Sequence, residues 1–128
     1  MSTHLRDPLA NVRGLGSAKS GTHHWWVQRT TAVMLMLLSP WFIYFLVTHI
    51  GMSREDLVAA IGTPRNATLM GMFVVAACWH ARLGLQVVVE DYIHVKWLEV
   101  TLQIAIQFLY GFATLAGLIA IGRMAFTG

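Results

Sequence analysis

Charge is scarce in this 128-residue sequence: charged side chains make up 12% of it, with six acids against nine lysines and arginines. A soluble domain carries roughly twice that fraction. Cysteine occurs once, at Cys78, which excludes an internal disulfide and any cysteine-based zinc or iron–sulfur centre built by this chain alone. No glycine-rich dinucleotide fingerprint is present, nor a flavin-binding domain. The first 24 residues lack an apolar run long enough for a signal-peptide core. The net charge of +3 comes from scattered basic residues rather than a patch, which argues against nucleic acid and for membrane topology.

What is present is apolar. Hydrophobic residues make up 56% of the chain and the mean hydropathy is +0.59. These values predict an all-α integral membrane protein whose length holds about three spanning helices. The reading is an up-down-up bundle with a short polar N-terminal arm over 1–24 and a three-helix membrane domain over 25–128. The spans are expected over 30–49, 66–89 and 100–122, each close to the roughly twenty residues that cross a bilayer. Trp25, Trp26 and Arg29 lie where interfacial anchors belong, and Trp97 marks the third entry. Pro40 falls inside the first span, where a packed membrane helix tolerates it. Between the first two spans, Ser53-Arg54-Glu55-Asp56 ahead of an apolar stretch predicts a short capped surface helix ending near Gly62 and Pro64. Ala113 and Gly117 offer a packing seam in the third span.

Arg6, Arg13, Lys19, Arg29 and Lys96 fall on one side of such a bundle, and Arg54, Arg65 and Arg123 on the other. The positive-inside bias then puts the N-terminus in the cytoplasm. Arg29 and Tyr92 share that membrane face.

The chemically richest stretch is Cys78 to Tyr92, which carries His80 and Arg82 within an apolar run and ends in Asp91-Tyr92. Eleven residues of helix from His80 to Asp91 span about 16 Å, half of a hydrocarbon core. His80 therefore sits near the midplane if Asp91 is interfacial, and an ionisable or metal-ligating side chain at that depth is a functional-site hypothesis. Ala76, Ala77 and Gly84 flatten the same face. Two readings stand open on the pattern alone: a packing seam in which His80 hydrogen-bonds a neighbouring helix, or room for a planar cofactor whose iron the imidazole ligates. The wider alternatives are a structural or assembly bundle without haem, and a small transporter or channel subunit with His80 and Arg82 lining a polar path.

The run from Gly21 through His23, His24, Trp25, Trp26, Gln28, Arg29 and Thr31 to Ala32, together with the His-x3-Gly-x6-Asp-Tyr spacing of His80, Gly84, Asp91 and Tyr92, resembles the hydrophobic membrane anchor subunit of bacterial succinate dehydrogenase. The resemblance covers the whole chain in length and layout. It implies a non-catalytic subunit of the bacterial inner membrane in complex II. There a flavoprotein and an iron–sulfur subunit dock on this chain and a cytochrome b-type second membrane anchor, and electrons from succinate reduce ubiquinone. By the same resemblance His80 is an axial ligand of a haem b shared with the second anchor, and His23 and Arg29 lie near the haem propionates. Tyr92, beside Asp91, donates to the quinone. Arg82 departs from the pattern, which has an uncharged residue at that place. Physical chemistry agrees with parts of this picture: one midplane histidine leaves the second haem ligand to another chain, and a guanidinium pairs well with a propionate carboxylate. A phenol can donate to a quinone without bringing charge into an apolar pocket.

Overall fold

The computed structural model describes residues 21–127. Residues 1–20, most of the predicted arm, lie outside the described residues. Four helices follow one another: α1 (Gly21–Thr48), α2 (Arg54–Gly62), α3 (Pro64–Tyr92) and α4 (Lys96–Thr127). Of these, α1, α3 and α4 are long and apolar enough to cross a membrane, giving the three spans expected.

Each helix outruns the apolar segment that announced it. α1 starts nine residues before the predicted span and takes in Gly21 to His24, which the sequence reading had given to the arm. α4 continues to Thr127. Hydropathy marks where lipid begins, whereas helical hydrogen bonding continues into the headgroup layer. α1 runs through Pro40 without a break. α3 opens on Pro64 in its first turn, where a missing N–H forfeits no helical bond. It closes with the Ile93 N–H donating to the Val89 carbonyl at 2.9 Å.

α3 is the central element, packed on α1 along one side and on α4 along another, while α1 and α4 do not pack on each other. The α1–α3 contact is antiparallel and carries a stacked pair, Phe42 on Phe73, with ring centroids 4.4 Å apart. Leu38, Phe45, Ala76, Leu83 and Val89 form the buried apolar core, and α4 buries none of its residues. Gly117 is where α4 comes nearest: a Cβ there would lie 2.9 Å from Val74 Cγ1. Ala113, its expected companion in the seam, is exposed.

At the end remote from Tyr92, α2 forms as its sequence predicted. Ser53 caps it, the side-chain oxygen accepting from the Asp56 N–H at 3.1 Å. The helix then packs against the C-terminal end of α4 so closely that a Cβ on Gly62 would fall 2.5 Å from the Met124 carbonyl oxygen.

Candidate functional site

His80 lies two residues past the centre of α3 and faces α1. Ala76, only 1% exposed, is one turn before it and Gly84 one turn after. Across from it stands Thr31, the one buried polar residue among those described. Its Oγ1 lies 3.0 Å from the carbonyls of Val27 and Gln28 and 3.1 Å from Nδ1 of His80. Proton bookkeeping decides how this cluster works. A threonine hydroxyl has one proton, and here it has two backbone carbonyls to give it to. Its lone pair is then left to accept from an Nδ1–H, which selects the imidazole tautomer whose Nε2 carries the free lone pair. Nε2 makes no hydrogen bond among the described residues, nor does it number among the buried unpaired atoms, so it is accessible from outside the chain.

Thr31 belongs to a line on α1. His24, Gln28 and Thr31 are spaced i, i+4, i+7, one face of a helix. Nε2 of His24 and Oε1 of Gln28 are both buried without a hydrogen-bond partner. Such orphans cost about 1–3 kcal/mol each. Opposite Gln28 stands Gly84, where a Cβ would come to 4.0 Å from Gln28 Nε2, an ordinary contact distance.

His23 is exposed, a third of a turn away from that line. Arg29 is also exposed, and its guanidinium sits over the Trp25 ring, 5.5 Å from the centroid. The antiparallel packing brings this end of α1 beside the end of α3 that carries Asp91 and Tyr92. Three helical turns separate Asp91 from His80, so the carboxylate stands over the imidazole on one face of α3. Tyr92 is 76% exposed and its hydroxyl makes no hydrogen bond among the described residues. Arg82 is on the opposite side of α3, lining a groove with Gln103 and Gln107 of α4. It therefore takes no part in the His80 cluster. No group of three histidine, cysteine or acidic side chains gathers to hold a metal among the described residues.

Within the second span, then, an imidazole with Nδ1 engaged lies three turns from an Asp-Tyr pair on the same helix. The model of the succinate dehydrogenase/fumarate reductase transmembrane subunit family matches residues 3–120. The chain belongs to this family.

Among its relatives is the succinate dehydrogenase hydrophobic membrane anchor subunit of Rickettsia bellii, 36% identical over 93% of this chain and 94% of that protein. The subunit of the same name from Paracoccus denitrificans is 31% identical over 91% of this chain and 90% of that protein. That of Rickettsia conorii is 39% identical over 77% of this chain and 79% of its own length.

Within this family member, the sequence reading missed three residues: Thr31, His24 and Gln28. All three lie inside the N-terminal motif that carried the family resemblance. The signal that could have found them is their i, i+4, i+7 spacing, a polar line entering an otherwise apolar span.

Proposed function

We propose that this chain is the hydrophobic membrane anchor of a succinate:ubiquinone oxidoreductase, providing half of a haem b site and part of a quinone site. Family membership supports the anchor role. The observation that carries the finer reading is the Thr31–His80 contact, which engages Nδ1 and leaves Nε2 accessible.

The residues present suit a haem. His80 would offer the iron its Nε2, which no residue among those described engages. His24 Nε2 and Gln28 Oε1, on the same face of α1 as Thr31, are buried within this chain. Haem b, when bound, supplies a one-electron carrier inside the membrane. This chain's part is to hold the imidazole in one tautomer. A cytochrome b-type second anchor would supply the iron's other protein ligand, because His80 is the one histidine among the described residues set deep within a span. Arg29, exposed at the boundary, and His23 beside it are placed to meet propionates that reach the headgroup layer. A flavoprotein and an iron–sulfur subunit dock on the same side.

Ubiquinone is the substrate at that face. Tyr92 donates to its carbonyl oxygen, and Asp91 orients a neighbour or relays a proton from water. The complex resides in the bacterial inner membrane with the N-terminus in the cytoplasm, as the basic residues around α1 and Lys96 favour.

His80→Leu tests the reading. The variant retains an apolar helix but removes the axial nitrogen, so the purified complex should lose its haem or keep it weakly. A normal low-spin haem b spectrum in that variant would refute the ligand assignment.

A further inference from the structure

Arg82 and the groove between α3 and α4 are not used by the haem and quinone reading. A cavity of about 610 Å³, open at the surface, runs between these helices and is lined by Trp79, Phe108, Phe112 and Leu115 among others. Arg82 and Gln107 close one side of it and also border a second, polar cavity of about 160 Å³, whose other walls include Gln86 and Gln103. The two spaces therefore meet at a guanidinium, with an apolar chamber on one side of it and an amide-lined one on the other.

That guanidinium has no carboxylate partner among the described residues, where the salt bridge found joins Lys96 to Glu99. The nearby acids are occupied. Glu90 accepts from Gln86 at 2.9 Å and from Gln103 at 3.4 Å, and Glu99 accepts from Lys96 at 3.0 Å. Nine residues of helix put Arg82 about 14 Å below Asp91, where an unpaired cation is costly. Gln86 and Gln103 continue from it toward the boundary, forming a polar seam that lets its long stem carry the charge outward.

We infer that this groove is a binding site for an anionic phospholipid, its phosphate held by Arg82 with the amide of Gln107, and an acyl chain lying in the aromatic-lined chamber. Charge complementarity selects the occupant. A partner subunit's carboxylate would fill the small polar space alone, while a neutral lipid would fill the large apolar one and leave the cation unpaired. An anionic phospholipid matches both halves, and basic pockets between spanning helices are recurrent sites for such headgroups. The chamber's volume is within the range of specific ligand clefts.

The test uses the intact complex, exchanged extensively into a phosphate-free detergent, with bound lipid identified by native mass spectrometry and total phosphorus. Two variants divide the site. Arg82→Gln removes the charge. Gly111→Leu fills the apolar chamber from a position where a Cβ meets nothing within 4 Å. The wild-type complex should retain an anionic phospholipid, and each variant should lower its retention roughly tenfold or more, the worth of a charge-assisted contact or of a filled pocket. The haem spectrum should not change in Arg82→Gln, because Arg82 and His80 lie on opposite sides of α3. Equal phospholipid retention in wild type and both variants overturns the proposal, as does retention of a neutral lipid or quinone in place of an anionic one. Failure of Arg82→Gln to assemble, with phospholipid retained in Gly111→Leu, assigns the cation to a partner carboxylate and also overturns it.

Discussion

The hydroxyl of Thr31 and Nδ1 of His80 stand 3.1 Å apart across the α1–α3 interface, joining the first span to the second at one polar point. Around it the contact is made by apolar and small side chains such as Leu38, Phe45 and Ala76.

Replacing Thr31 by valine keeps the shape and removes the acceptor. An imidazole whose Nδ1–H donates to an oxygen is a more basic ligand. The haem of Thr31→Val should therefore have a higher midpoint potential than wild type, read by redox titration of the difference spectrum. The unpaired Nδ1–H should also cost about 1–3 kcal/mol of stability. Thr31→Ser should restore the potential. A destabilised Thr31→Val complex with an unchanged potential would assign Thr31 a packing role only, and haem loss in His80→Leu would remain a separate result.

Tyr92→Phe keeps the interfacial ring and removes its donor. Losing a hydrogen bond to a quinone oxygen that gains charge on reduction should cost about 1.5–3 kcal/mol, roughly ten- to a hundredfold in quinone reductase turnover. Succinate oxidation with an artificial acceptor should stay normal. Near-wild-type rates in both assays would leave Tyr92 as an aromatic anchor.

Gly62→Ala should reverse the usual sign of a glycine-to-alanine change. In a helix that change ordinarily stabilises by about 0.5–1 kcal/mol. At Gly62 the added methyl meets the Met124 carbonyl oxygen at 2.5 Å, and both are backbone-bound, so strain of about 1–3 kcal/mol should win. The thermal inactivation midpoint of the complex should fall in Gly62→Ala. It should hold or rise in Gly111→Ala, where the new methyl meets nothing within 4 Å. Equal midpoints in the two variants would mean that α2 yields freely.

The three spans and the Ser53-capped helix were legible in the sequence because each is a local pattern: about twenty apolar residues, or a cap followed by an apolar run. The three helical turns between His80 and Asp91 were legible by counting residues. What could not be read was which face of α3 meets which neighbour. His80 and Arg82 are two positions apart and so point to opposite sides, and nothing in the local sequence says that α1 takes the first and α4 the second. The pair His23 and His24 shows the same limit. The residues are chemically identical, and only the packed structure turns His23 outward while burying Nε2 of His24. Thr31 read as one more uncharged residue of a span until a partner stood opposite it.

The packing of α2 on the end of α4 bears on how the chain is made. α2 leaves the ribosome between the first and second spans, yet the surface it packs on belongs to a helix synthesised after both. Until α4 has been inserted, α2 has no Met124 backbone to rest against, and its apolar side faces only lipid headgroups or water. The α1–α3 pair, with Thr31 and His80 already opposed, can form earlier. The contact of α2 with α4 closes after that of Thr31 with His80, so a nascent chain stalled before Met124 would hold its imidazole in place with the opposite end of the bundle still unfastened.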